Sequence, residues 1–382
     1  MTEYSMQILI APNAFKNSLD ATASAIAIRE GFEQSRLDCS CECFPVGDGG
    51  DGTAALLIRH LQGKEIAQET VDALGRKLEG SFGLLPDNAT AIIEMAGSSG
   101  LRQLAVSEYD PLKASTYGTG KLIVAALDHG ARKIIIGIGG SATVDGATGM
   151  LRALGVRFFD SRKQEIIDLP GRLSELASVD ITMMDKRISE TEFIILCDVE
   201  NKLLGVQGAA AVFGPQKGAS PQEVIQLDKG LRQFRDITFS QTGYDMAKVQ
   251  YGGAAGGTAA GLAAFCKAKL VNGIEYFLDI THFNKALLKS DLVITGEGSL
   301  DEQTLEGKAP FGVAKRAKEK NLPVIGLAGK VPSATSADMD HYFDALLAIG
   351  HQPSDLETAM KHTASDLTRI AKTIGNLLAK ER

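Results

Sequence analysis

The sequence predicts an α/β protein: a doubly wound parallel sheet, discontinuous along the chain, with a second α/β domain inserted into it. Three observations predict this. Short apolar runs recur, each ending in a Gly-rich loop that carries acidic residues or a lysine. β-α alternation is found at both ends of the chain and is weaker in the middle. At 382 residues the chain is also too long for one ordinary core.

At the N-terminal end, a strand is expected near 7–12 and a helix near 20–34, with Ser18 or Asp20 as its cap. A second strand near 41–46 leads into a second helix from Thr53 to Leu61. At the other end, a strand near 291–295 precedes a helix from Pro310, a residue suited to a first helical turn. Lys315, Arg316, Lys318 and Lys320 follow towards the C-terminus of that helix, where they complement the dipole. Further strands are expected at Pro323–Ala328 and Ala345–Ile349. A last helix near 354–379 places Leu356, Met360, Leu367, Ile370, Ile374 and Leu377 at helical spacing. Two strands make a poor sheet, and three are marginal. Joined, the two ends supply five β-α units, the count of a flavodoxin-like domain. The expected division is therefore 1–75 with 290–382, and 76–289 as the insertion, with the active site in the cleft between them. Within the insertion, Lys77–Leu84 and Thr90–Met95 read as a meander, Lys133–Gly139 and Glu192–Cys197 as buried strands, and Ala254–Leu262 as the opening of a helix.

Apolar content is 44% and charged content 23%, normal for a soluble globular protein. The net charge of −7 and the lack of a basic block argue against a nucleic-acid partner. No apolar run approaches the roughly 18 residues of a membrane span. Residues Met1–Met6 lack the basic and apolar regions of a secretory signal, and Met6 is an alternative start. With five cysteines, an odd number, reduced thiols in a cytoplasmic protein are expected. Cys39, Cys41 and Cys43 alternate and should share one packed strand face.

In parallel α/β sheets, ligands bind beyond the carboxyl ends of the strands. Four such loops carry chemistry here: Ala11–Ser18 with Lys16, Gly47–Thr53 with Asp48 and Asp51, Gly137–Gly146, and Thr295–Asp301 with Glu297. Glycine lets backbone amides approach an anion, and carboxylates hold a metal or take a proton. Together with lysines they suggest a phosphate and magnesium site assembled from remote segments. Lys308 and Lys330 are further lysines of this kind. Singly, Asp48, Asp51, Glu297 and Asp301 could each be turn residues. Gly118-Thr-Gly-Lys121 lacks the Ser/Thr and the first Gly of a Walker loop. Gly137-x-Gly139-x-x-Ala142, with Asp160 after the next apolar run, resembles a dinucleotide fingerprint. A dehydrogenase of a small hydroxy acid is therefore an alternative. A non-catalytic sensor of a small acid is another, although it would gain nothing from several carboxylates beside an anion.

Nearly end to end, the ordered motifs resemble the bacterial glycerate kinases that are neither ribokinase-like nor Walker-type. They include Ala11-Pro-Asn-Ala-Phe-Lys-Asn-Ser-Leu19, Pro45-Val-Gly-Asp-Gly-Gly-Asp-Gly-Thr53 and Glu94-Met-Ala-Gly-Ser-Ser-Gly-Leu101. Ile138-Gly-Gly-Ser-Ala-Thr-Val-Asp-Gly146, Cys197-Asp-Val-Glu-Asn201 and Gly208–Gly218 follow, then Ile294-Thr-Gly-Glu-Gly298 with Asp301, Gln303, Thr304, Gly307 and Lys308. The resemblance implies ATP-dependent phosphorylation of D-glycerate, usually on the 2-hydroxyl, by a flavodoxin-like domain and an unusual second α/β domain. In this frame Lys16 and Lys308 would contact phosphate oxygens, and Glu297 and Asp301 would hold Mg²⁺. Asp48 or Asp198 would accept the hydroxyl proton. Gly139, Gly140 and Ser141 would form an amide nest for the glycerate carboxylate or the γ-phosphate. Five positions depart from the usual family loops. Asn13, Ala14 and Asn17 stand where Asp, Ser and Gly are usual, Gly47 where Ala is, and Asp51 where Glu is.

Overall fold

The computed structural model describes residues 5–379, with the side chains of Gln303 and Glu306 outside the description. Met1 therefore lies outside the described residues. The chain divides into two compact units, residues 1–48 with 274–382, and residues 49–273.

The first unit holds a five-stranded, wholly parallel sheet. Its order is Ala345–Ala348, Val324–Lys330, Leu292–Ser299, Met6–Ile10, Cys39–Cys43. Numbered along the chain this is 2-1-3-4-5, the flavodoxin order. The order puts the two central strands, Met6–Ile10 and Leu292–Ser299, side by side, in register Ile8 to Leu292 and Ile10 to Ile294. Ile8, Ile10, Ile28, Phe32, Leu292, Ile294, Leu327 and Leu367 form part of its core.

Ala21–Glu33 is the first helix. Of the two expected caps, Asp20 fills the role, accepting the Ala23 N–H at 2.8 Å. Ser18 instead reaches the last helix, Leu356–Leu378, with its hydroxyl 2.6 Å from the Met360 carbonyl and 2.7 Å from Thr363 Oγ1. The expected apolar stripe of that helix is corrected at its ends. Leu367 and Ile374 are buried, but Leu356 and Leu377 are 75% and 64% exposed. Leu378, next to Leu377, packs against the core, so Leu377 lies on the face turned away from it.

The second unit contains a six-stranded mixed sheet in the order Lys269–Asn272, Glu192–Cys197, Lys133–Gly137, Thr90–Glu94, Lys77–Leu84, Lys64–Val71. The first four strands run parallel and the last two are antiparallel. Here the sequence boundary shifts. Residues 49–75 were expected in the first unit, yet the Thr53–His60 helix and the Lys64–Val71 strand belong to the second. Lys64–Val71 pairs along its full length with Lys77–Leu84, and an antiparallel hairpin cannot be divided between two cores. At the other junction, 274–289 joins the first unit.

The dinucleotide fingerprint is also corrected. The Arg157–Asp160 strand lies in a separate antiparallel ribbon with Leu176–Asp180, outside the parallel sheet. Asp160 closes a turn, accepting the Arg162 and Gln164 amides at 2.8 and 2.9 Å. A ribose-binding carboxylate belongs at the end of the neighbouring parallel strand, and this one is not there.

Cys39, Cys41 and Cys43 pack partly buried against the first unit's core, and all five cysteines are free. Among the described residues, no helix is long and apolar enough to cross a membrane.

Candidate active site

In the first unit, the candidate side chains gather at the carboxyl ends of the strands. The chain after Met6–Ile10 continues along its neighbour: Ala11 N–H donates to the Ile294 carbonyl at 2.7 Å, and Asn13 N–H to that of Gly296 at 2.8 Å. A Cβ at Gly296 would sit 2.0 Å from the Leu327 carbonyl, so only glycine lets the strands meet there. The Lys16 loop is thereby laid against Glu297, and a Cβ on Gly298 would lie 3.8 Å from the Lys16 amide. Phe44 N–H donates to the Ile10 carbonyl and Val46 N–H to that of Pro12, which carries Asp48 to the same edge. Asn13 Nδ2 donates to Asp48 Oδ2 at 3.0 Å.

Asp301 and Lys308 bracket a short 3₁₀ turn, with Lys308 Nζ 3.9 Å from Asp301 Oδ1. Lys308 occupies the cap position before the Ala309–Lys318 helix. Lys16 is exposed.

Glu297 is where these groups converge electrostatically. Burial pushes its carboxyl up to about 7, Asp48 adds to the rise, Lys308 and Lys16 oppose it, and Asp301 adds again. Of the nine sequence-chosen residues, four, Lys16, Asp48, Asp301 and Lys308, therefore act on a fifth, Glu297. A carboxylate so short of positive charge is a place for a cation. Among the described residues, no three His, Cys, Asp or Glu side chains form a metal cage by themselves. Magnesium does not need one, since it is commonly held by one or two carboxylates together with water and substrate phosphates. Glu297 and Asp301 fit that requirement.

The other four residues lie in the second unit. Gly139, Gly140 and Ser141 follow the Lys133–Gly137 strand, and Asp198 follows Glu192–Cys197. The expected three-amide nest is smaller than the sequence suggested. Gly139 N–H is spent on the Gly49 carbonyl at 2.9 Å. The Gly140 and Ser141 amides donate to no protein acceptor among the described residues. Gly140 has φ +69°, and a Cβ there would stand 2.7 Å from both carboxylate oxygens of Asp51.

Three residues around this turn went unchosen. Glu94, at its strand end, accepts the Gly52 and Ala54 amides at 2.9 and 3.2 Å and pairs with Arg102 at 3.0 Å. Arg102, 47% exposed, also lies 3.6 Å from Asp51. Lys217 is only 2% exposed. Its Nζ donates to Ser141 Oγ and to the Thr143 carbonyl, both at 2.7 Å. Burial lowers the Lys217 pKa to about 7, against the opposing fields of Asp145 and Asp198. Asp145 is itself buried, which raises its pKa, while donors from Thr116, Gly149 and Ala147 oppose the rise. Nothing in the spacing of Gly214-Pro-Gln-Lys-Gly218 marks its lysine as buried.

Strand-end loops rich in glycine, lysine and carboxylates, on a flavodoxin-order sheet, define an α/β enzyme suited to anionic ligands. The comparisons identify which one. Residues 8–379 match the model of the glycerate kinase family. The chain is 43% identical over 369 residues to the glycerate kinase of Bacillus subtilis, covering 97% of each. It is 39% identical over 374 residues to the glycerate 2-kinase of Escherichia coli, covering 98% of each. A crystal structure from Salmonella typhimurium LT2, provisionally identified as glycerate kinase 2, superposes with a TM-score of 0.83 at 42% identity, covering 99% of each chain. The chain belongs to the glycerate kinase family, and it is a kinase.

Proposed function

We propose that the protein transfers the γ-phosphoryl group of ATP to the 2-hydroxyl of D-glycerate, with Mg²⁺, giving 2-phosphoglycerate. The observation that carries this reading is Glu297, a carboxyl held near neutrality among Asp48, Asp301, Lys16 and Lys308. Phosphoryl transfer consists mainly of positioning and charge neutralisation. Lys16 and Lys308 bind phosphate oxygens. Glu297 and Asp301 hold the magnesium ion, which when bound offsets phosphate charge. Asp48, oriented by Asn13, accepts the hydroxyl proton, with Asp198 as the alternative base. The Gly140–Ser141 turn receives an anion. Both substrates are small, soluble anions, in keeping with a cytoplasmic enzyme.

Phosphorus NMR of the product formed from ATP, Mg²⁺ and D-glycerate tests this. A 2-phospho signal is expected. A 3-phospho product would overturn the regiochemistry, and no product with any hydroxy acid would overturn the reaction.

A further inference from the structure

We propose that Lys217 is the positioning residue of the acceptor site: from beneath the Gly139–Thr143 turn, it orients that turn to hold the carboxylate of glycerate. This rests on glycerate being the acceptor.

Burying a lysine is costly unless its charge does something that an apolar side chain of similar length could not. Lys217 is among the largest fully buried side chains in the molecule. Among the described residues its Nζ donates two hydrogen bonds, and both go to this turn. An ammonium can only donate. Ser141 Oγ must therefore accept from Lys217, and the hydroxyl proton of Ser141 is left to donate elsewhere. The Thr143 carbonyl is held in the same way, and a Cβ on Gly256 would lie 2.1 Å from that carbonyl, so the turn is confined on a second side. The result is a preset group of donors, the Gly140 amide, the Ser141 amide and the Ser141 hydroxyl, above a buried positive charge. Such a group receives an anion.

The charges around the turn choose the anion. Two basic groups, Lys217 and Arg102, and three acidic ones, Asp51, Asp145 and Asp198, surround the turn. A multiply charged phosphate would worsen that balance more than a singly charged carboxylate. The phosphate-binding lysines, Lys16 and Lys308, belong to the other unit. The groups facing Lys217 are Ser141 and Thr143 from the turn, Asp145 beyond it, and Asp198 from the end of the Glu192–Cys197 strand. An anion bound on the turn favours the charged ammonium, so glycerate binding should draw a proton onto the protein above neutral pH.

The test is steady-state kinetics of Lys217→Met beside wild type, with calorimetry of wild type. The expected KM for D-glycerate rises about tenfold or more, as for a lost charged hydrogen-bond network, while the KM for Mg-ATP stays within about twofold. In wild type the KM for glycerate climbs as pH rises above about 7, and in the variant that limb is absent. An unchanged glycerate KM in an active variant, or equal rises in both KM values, overturns the proposal. Should the variant fail to fold, calorimetry of D-glycerate on nucleotide-free wild type, at about pH 8 in two buffers of different ionisation enthalpy, decides. Proton uptake that persists in Glu297→Gln supports the proposal, and binding without uptake, or uptake lost in Glu297→Gln, overturns it. Failure of wild type to turn over D-glycerate at all would instead remove the proposed reaction.

Discussion

Asn13 holds Asp48 through a single neutral hydrogen bond, Nδ2 to Oδ2 at 3.0 Å. The orientation of the Asn13 amide is fixed from the other side, because Asn13 Oδ1 accepts the Ala14 N–H at 2.8 Å and nitrogen could not. A neutral donor orients Asp48 without itself adding a charge beside it, which suits a general base.

Asp48→Asn should therefore lower kcat by about 10²–10⁴ while leaving the affinity for ATP within a few-fold. The side chains are isosteric, so packing should survive. Asp48 is not a helix cap, since Gly52 occupies that position before Thr53–His60. Turnover measured at saturating glycerate is decisive. A rate within a few-fold of wild type would pass the role of base to Asp198.

Glu297 predicts a stability that depends on pH and on magnesium. Its folded pKa is raised to about 7 from 4.5. Between those values the native state holds a proton that the unfolded chain has released. Stability from this group is therefore present at low pH, falls as pH rises through the window, and is lost above about 7. Glu297→Gln removes that penalty. Without magnesium near pH 8, the variant should be more stable than wild type by roughly 1–3 kcal/mol, and near pH 4 the advantage should vanish. Urea unfolding at the two pH values measures it. A pH-independent difference would rule the idea out.

Asp301→Asn should raise the magnesium concentration needed for half-maximal rate by about tenfold, with much of kcat recovered at saturating metal. Asparagine keeps the oxygen and the turn and loses the charge. Magnesium titrations of initial rate check this. An unchanged titration midpoint would make Asp301 a partner of Lys308 alone.

Much of this was legible in the sequence because strands and loops announce themselves locally. Phe193–Cys197 is a continuous apolar run, and Gly296 and Glu297 follow an equally plain one. The five-strand count was readable for the same reason. The inner boundary was not, because Lys64–Val71 alternates weakly and becomes a strand only through its partner. Lys217 was hidden for a different reason. A lysine flanked by Gln216 and Gly218 reads as solvated, and only tertiary packing makes it a buried cation. Gly139 shows the converse: its glycine was plain, but the Gly49 carbonyl that consumes its amide lies 90 residues away in sequence.

The Lys16 loop is tied to the packing of two helices. The first and last helices of the first unit touch at Gly31, where a Cβ would lie 2.3 Å from the Thr368 carbonyl and 2.6 Å from Ala371 Cβ. Thr368 Oγ1 also meets the Ala27 carbonyl at 2.9 Å, so this close approach is bonded as well as packed. Helix propensity alone would make Gly31→Ala stabilising by about 1 kcal/mol. The obstacle, however, is backbone, which cannot rotate aside, and overpacking of this kind typically costs about 1–3 kcal/mol. With backbone in the way the clash should fall at the upper end of that range and win, giving net destabilisation of up to roughly 2 kcal/mol in urea. Parting the helices also pulls on Ser18, which is bonded to Met360 and Thr363 two residues beyond Lys16. The KM for ATP should therefore rise in Gly31→Ala, although the substitution is remote from the strand ends. A variant as stable as wild type with an unchanged KM for ATP would show that the helix pair yields freely, and that the Lys16 loop is held by its pairing with Ile294 and Gly296 alone.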